Sequence, residues 1–252
     1  MFPLGDDNTK LLFPYATLLL IILMLGAWLF IQGAGNEPQL SASVCTFGII
    51  AGELLQLLPP GTYLQIAPKL FCVMDETPNW YTTISYMFMH GGWMHLIGNL
   101  WFLWVFGRSV EDSMGPLRFI GFYLICGLAA AGLQVALAPA SAIPMVGASG
   151  AIGGVMGAYL VLYPKVHVNM LIFLVVFITT VRIPAIFMLI YWLAIQFLGG
   201  LNSIGNDVGG VAFWAHIGGF VAGMMLAWVF VRQDLLRQHR YYGWQARAQL
   251  DT

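Results

Sequence analysis

Charge is what this sequence has least of. Only 8% of its 252 residues are Asp, Glu, Lys or Arg, while 60% are hydrophobic. A soluble domain carries about 25% charged residues. So few charges cannot coat a globular surface, and the outside of the folded chain must face an apolar medium, for which lipid is the obvious candidate. The formal net charge of −1 provides no basic surface and argues against nucleic acid as a partner. Cysteine is scarce too. Cys45, Cys72 and Cys126 are an odd number without metal-ligand spacing. Cys126 falls in an apolar run and reads as a small packed hydrophobe. Cys45 and Cys72 share one loop, and two readings stand: a disulfide if that loop is extracytoplasmic, or two free thiols.

What the sequence has is long uncharged runs. Six of them read as membrane-spanning helices: residues 11–32, 82–106, 119–138, 149–163, 184–200 and 211–231. The first follows Asp6, Asp7 and a single Lys10 rather than a basic segment, and 33–35 is a weak cleavage site, so it reads as a retained helix. The fourth is short, but its Gly and Ala content suits a helix buried among others. A further apolar stretch, 166–181, is rich in β-branched residues and reads either as a seventh helix or as an interfacial segment.

The positive charges decide between six and seven, because Lys and Arg concentrate on the cytoplasmic side. Six spans with both termini inside put Lys10, Arg108, Arg118, Lys165, Arg182, Arg232, Arg237, Arg240 and Arg247 inside and leave only Lys69 outside. A seventh span at 166–181 would carry Arg182 and the four tail arginines to the outside. The acids agree: Glu37, Glu53, Asp75, Glu76 and Asp207 fall outside. The expected fold is therefore an all-α membrane protein, a six-helix bundle with a long outer loop at 33–81. A cytoplasmic N-terminus (1–10), a membrane domain (11–231) and a cytoplasmic tail (232–252) follow. The outer loop holds the apolar run 47–58, closed by Pro59 and Pro60, which suits a helix lying in the interface.

An ionisable residue inside a span is costly and is a functional candidate by default. There are few: His90 and His95 near the start of span 2, with Asn99 one turn after His95, and His216 early in span 6. Ser149 opens span 4. With six spans, helices 2, 4 and 6 all run inward, so these residues share one depth in the outer half of the bilayer. Ser149, Gly153 and Gly157 share one helix face, and Ala215, Gly219 and Gly223 another, with Gly218 and Ala222 beside them. Small residues at four-residue spacing let helices approach closely in lipid, which would bring the His216 imidazole to the Ser149 hydroxyl. A serine becomes a nucleophile when a base takes its proton, and histidine suits that role near neutral pH. A helix start adds unpaired N–H groups and a positive dipole end. His95 and Asn99 offer side-chain donors. No carboxylate lies at matching depth, and the i, i+5 spacing of His90 and His95 is poor for a metal, so no metal or cofactor is expected.

Three segments carry a family resemblance: His90-Gly91-Gly92-Trp93-Met94-His95-Leu96-Ile97-Gly98-Asn99, Gly147-Ala148-Ser149-Gly150 continuing to Tyr159, and Ala215-His216-Ile217-Gly218-Gly219. With Glu111 and Gly115, they resemble the rhomboid family of intramembrane serine proteases from about Trp80 to Val231. The resemblance implies a serine endopeptidase with Ser149 as nucleophile and His216 as base, without an aspartate. It implies an oxyanion hole of His95, Asn99 and the Ser149 backbone N–H, bordered by Gly147, with Gly150, Gly219 and His90 in support. The implied substrates are single-span membrane proteins cleaved in or near their transmembrane helix, entering past span 5. The implied location is a bacterial inner membrane, multi-pass. Some members carry an aromatic residue four positions after the serine, stacked on the histidine; here that position is Gly153, so Phe213 or Phe220 is expected to buttress the ring. A Trp-Arg pair found in the outer loop of some members is absent from this sequence.

A catalytically inactive rhomboid-like protein that binds transmembrane segments is the competing reading; retention of both Ser149 and His216 speaks against it. A transporter fits poorly, lacking a carboxylate in a span and paired broken helices.

Overall fold

In lipid every backbone polar group has to be satisfied within the protein, so long apolar runs are driven into helices. A computed structural model describes residues 2–67, 70–174, 177–203, 211–239, 241–242 and 245–246. The placements expected for Lys69, Asp207, Arg240 and Arg247 lie outside the described residues. The chain opens with strand β1 (Phe2–Asp6) and helix α1 (Tyr15–Gly26), which continues through a π-helical turn, Ala27–Ile31. The 33–81 region holds α2 (Gln39–Phe47), the short α3 (Ala51–Leu54), and a hairpin of β2 (Tyr63–Ala67) and β3 (Leu70–Val73). After the short α4 (Thr82–Ser85), α5 (Trp93–Phe102) runs through a second π-helical turn, Leu103–Gly107, into α6 (Arg108–Met114). Then come α7 (Pro116–Leu137), α8 (Ser149–Leu162), strands β4 (His167–Leu174) and β5 (Phe177–Pro184), α9 (Ala185–Ser203) and α10 (Phe213–Phe230). The tail has α11 (Gln233–Leu236) and the short strands β6 (Tyr241–Tyr242) and β7 (Gln245–Ala246).

The protein is mostly helical. Among the described residues, three helices are long and apolar enough to cross a membrane by length and composition: Pro116–Leu137, Ala185–Ser203 and Phe213–Phe230. Tyr15–Ile31 and Ser149–Leu162 are shorter apolar helices.

Four expectations need correcting. The fold is not all-α, since it contains a three-stranded sheet in the order β1-β4-β5 and two hairpins. The stretch 166–181 is no helix: β4 pairs antiparallel with β5 from His167 opposite Pro184 to Leu174 opposite Phe177. Its β-branched residues favour that pleated pairing over a helix. The run 47–58 is not one interfacial helix. It breaks after Phe47, where Gly48 adopts an extended backbone and a Cβ on it would meet the Val44 carbonyl at 2.5 Å. Ile49 then bridges to Met145. Finally, the second helix begins at Trp93 rather than Thr82, because 82–88 forms short separate turns and the chain is not helical at 89–92.

The helix starts are set by contacts between elements. Both Glu111 carboxylate oxygens accept N–H groups of α1, from Ala16 and Thr17 at 2.8 Å each. Asp112 accepts those of Leu11 and Leu12 at 2.6 Å. Ala16 and Thr17 lie in the first turn of α1, where N–H groups have no partner within the helix, and the Glu111 carboxylate also suits the positive dipole end; Asp112 ties down the segment that leads into it. Gly115, at φ 79°, turns the chain, and Pro116 starts α7 at the position where its missing N–H costs nothing. Gln134 of α7 accepts the Ala215 N–H in the first turn of α10 at 3.2 Å.

The core centres on α8, whose residues from Gly150 to Leu160 are all buried. Its glycines meet α10 backbone to backbone. A Cβ on Gly219 would lie 1.9 Å from the Gly150 carbonyl oxygen, one on Gly223 would lie 1.9 Å from that of Gly154, and one on Gly157 would lie 2.1 Å from that of Phe220. Gly218 instead faces Leu133 of α7, and Cys126 packs against Gly154 as a buried thiol.

Both ends of the described chain gather at one face. The buried Asp6 carboxylate accepts Ser109 and Tyr159 hydroxyls at 2.7 Å each and pairs with Lys10, which also donates to Ser109. Asp7 pairs with Arg182 at 2.9 Å, the Arg232 N–H donates to the Ser113 carbonyl, and His239 lies 3.3 Å from Asn8. At the opposite face, Cys45 of α2 and Cys72 of β3 form a disulfide, which resolves the two readings left open by their spacing.

Candidate active site

Three helix starts and one turn converge beside Gly147. That residue has φ 126°, a backbone that side chains other than glycine's rarely adopt, and its N–H donates to the Tyr86 carbonyl at 2.9 Å. The turn delivers Ser149 to the first position of α8, where the N–H groups of the first turn have no partner within the helix. Across the glycine seam, His216 Nε2 lies 2.7 Å from Ser149 Oγ. Both side chains are only half-buried, so the pair is reachable from outside the core.

The structure thus brings together the two residues that the sequence places at one depth. It also explains Gly153. A Cβ there would lie 2.8 Å from the His216 carbonyl oxygen, so the seam leaves no room for an aromatic side chain at that position. Support for the imidazole comes from the other side. The Trp192 ring of α9 lies 5.8 Å from that of His216, tilted by 36°, and Phe220 stacks on Trp192 at 5.9 Å. Of the two expected buttresses, Phe220 therefore acts through Trp192, and Phe213 packs over Gly199 instead.

His95 approaches from the first turn of α5. The Gly91 N–H, which can only donate, lies 3.3 Å from His95 Nδ1. In the neutral ring the proton then sits on Nε2. That nitrogen points at Gly147: a methyl placed on Gly147 would stand 2.6 Å from His95 Nε2 and 3.6 Å from Ser149 Oγ. The absence of that methyl keeps a small space open between a donor and the hydroxyl. Asn99 is buried one turn further along α5 and donates to the His95 carbonyl at 3.1 Å, holding the turn that carries the ring. His90 precedes the helix. It is buried, its ring packs edge-on against His95 at 5.2 Å, and its backbone is bracketed by Gln32, which accepts its N–H at 2.8 Å and donates to its carbonyl at 2.7 Å. Gly150 and Gly219 meet at the seam that sets the distance between serine and histidine.

Sequence reasoning missed three glutamines. Gln32 and Gln134 hold elements, and Gln196 of α9 lies with Oε1 2.7 Å from His216 Nδ1. An amide in an apolar helix, one turn from Trp192, needs a partner, but the sequence does not say which residue that is.

Comparison with known proteins places the chain in a family. The family model described as the Rhomboid domain matches residues 77–233, more than half of the chain and the part that contains every residue of the site except Gln32. The chain is 33% identical to RHOMBOID-like protein 4 of Arabidopsis thaliana over 162 residues, 64% of this chain and 35% of that protein. It is 24% identical over 238 residues to Rhomboid protein 1, mitochondrial, of Saccharomyces cerevisiae, covering 78% of this chain and 65% of that one. It is 31% identical over 139 residues to Rhomboid protease GluP of Bacillus subtilis, covering 55% of this chain and 26% of that protein. The chain spans less than two thirds of the length of each of these relatives. A family model over the site, apolar helices of membrane length and a serine and histidine in hydrogen-bond contact lead to one assignment: the chain is an integral membrane protein of the rhomboid family.

Proposed function

We propose that this protein is an intramembrane serine endopeptidase that hydrolyses peptide bonds in or near the transmembrane helix of single-span membrane proteins. The observation that carries the reading is the 2.7 Å contact between His216 Nε2 and Ser149 Oγ. In the proposed reaction, Ser149 Oγ attacks the scissile carbonyl carbon as His216 Nε2 takes its proton. The carbonyl oxygen becomes an oxyanion beside Gly147. There the N–H of Ser149 and the Nε2–H of His95 are suited to donate to it, in a setting preorganised before substrate arrives. The imidazolium then protonates the leaving amine, the acyl–enzyme forms, and water activated by the same histidine hydrolyses it.

The proposed topology has six spans with both termini cytoplasmic. It is supported by the contact between His239, after the last long helix, and Asn8, before the first, since an even number of crossings returns the chain to its starting side. The disulfide at the opposite face suits an oxidising exterior. Helix α9, which exposes Phe187, Ile190, Leu198 and Leu201, is the proposed wall past which a substrate helix enters.

Reconstitution into liposomes with a single-span reporter protein tests the reading. The wild type is expected to release a cleaved reporter, and Ser149→Ala and His216→Ala to release none above the buffer control. Cleavage that persists in both variants, or that is absent from a correctly inserted wild type, contradicts the assignment.

A further inference from the structure

The glycine seam fixes the distance between Ser149 and His216, but distance alone does not make a base. A neutral imidazole carries its proton on either ring nitrogen, and only the form with Nε2 unprotonated can accept from Ser149 Oγ–H. Something must hold the proton on Nδ1. No carboxylate among the described residues contacts that nitrogen; its partner is the Oε1 of Gln196, at 2.7 Å. A carbonyl oxygen can only accept, so this contact requires Nδ1–H and leaves the Nε2 lone pair facing the serine.

We infer that Gln196 is a positioning residue for His216: its side-chain carbonyl fixes the imidazole tautomer and orientation that the dyad requires. The inference rests on the proposed protease reading of the same site. Three observations support it together. Gln196 is 7% exposed on a helix whose neighbouring side chains Ile195, Phe197 and Leu198 are exposed to the surroundings, and a buried amide is costly there without a partner. Trp192, four residues earlier and so on the same face, lies against the same imidazole ring. The two contacts therefore hold the ring by its face and by its Nδ1 edge. Ser149 and His216 belong to α8 and α10, which the seam locks together. Gln196 belongs to α9, so the base is fully set only while α9 is seated against α10.

The test is the rate at which a fluorophosphonate labels the detergent-solubilised full chain. In that reaction Ser149 Oγ forms a bond to phosphorus, the P–F bond breaks, fluoride leaves, and the serine proton goes to His216 Nε2. Gln196→Leu removes the acceptor, and labelling is expected to slow by about 10- to 100-fold, as for the loss of one buried hydrogen bond, with the thermal unfolding midpoint kept near that of wild type. Gln196→Glu, whose carboxylate also accepts from Nδ1–H, is expected to recover labelling well above the Leu variant. If Gln196→Leu elutes as an aggregate, Gln196→Met, which keeps the length of the side chain without its acceptor, takes its place. Labelling at the wild-type rate in the acceptor-free variant overturns the inference while leaving the protease reading intact. So does a Glu variant no faster than the Leu variant when both are folded. Absence of labelling in wild type itself overturns the protease reading instead.

Discussion

Single residues decide this site, and the decisive ones are mostly small. Gly219 and Gly223 bring α10 so close to α8 that a methyl on either would overlap a carbonyl oxygen. Gly132, on α7, has nothing within 4 Å of where a Cβ would stand. The two kinds of glycine should respond oppositely to substitution. Gly223→Val forces the seam apart, with an expected cost of about 1–3 kcal/mol or more and a separation of Ser149 from His216 that abolishes activity. Gly132→Ala is expected to be neutral or to stabilise by up to about 1 kcal/mol, because the helix interior prefers alanine. Thermal unfolding in detergent, read alongside activity, distinguishes them; equal effects from both would contradict the packing described for the seam. At this scale much was legible in the sequence. Ser149, His216, His95 and both glycine stripes stand out because spacing puts them on faces and the charge distribution puts them at one depth. Gln196 does not: an uncharged amide in an apolar run gives no signal of its partner until the helices are assembled. The replacement of an aromatic at Gly153 by Trp192, from another helix, is invisible for the same reason.

At the scale of elements, long apolar helices were legible and the pieces between them were not. A helix is specified by its own run of residues, whereas a hairpin depends on a partner strand. Hydropathy could not tell that residues 166–181 pair with each other and with the N-terminal strand β1. Nor does it reveal the two π-helical turns, which keep the same sequence pattern as an α-helix. The Glu111 contact is another case. Glu111 and Gly115 enter the sequence reading only through the family resemblance, while the structure gives the glutamate a role in a different element, capping α1 through Ala16 and Thr17. Replacing it by Gln keeps one acceptor, and replacing it by Ala keeps none. Glu111→Ala is expected to cost about 2–3 kcal/mol, as for hydrogen bonds to a charged group, and Glu111→Gln less. The comparison is made by unfolding midpoints at matched detergent concentration. A neutral Glu111→Ala would mean that α1 is held by other contacts.

For the whole molecule, the described segments near the two ends pack into the structure. The N-terminal segment and the tail meet where His239 packs against Tyr163, ring centroids 5.1 Å apart, and lies 3.3 Å from Asn8. Burial lowers the His239 pKa below its ordinary 6.5. The folded state therefore disfavours the charged ring. Docking of the tail contributes fully above about 6.5 and weakens as the pH falls below that value toward the lowered one. Limited proteolysis of the tail is expected to accelerate on mild acidification in the wild type and to lose that dependence in His239→Phe. A pH-independent rate in the wild type would show that the tail is held elsewhere.

All three scales meet in one claim, that Ser149 is a nucleophile activated by His216 across the α8–α10 seam. Intact-mass and peptide-mapping spectrometry after fluorophosphonate treatment tests it most directly. The expected result is a single adduct on the peptide bearing Ser149, lost in Ser149→Ala and reduced to background in His216→Ala while both variants unfold at the wild-type midpoint. An adduct on another residue, or undiminished labelling of Ser149 without His216, would contradict it.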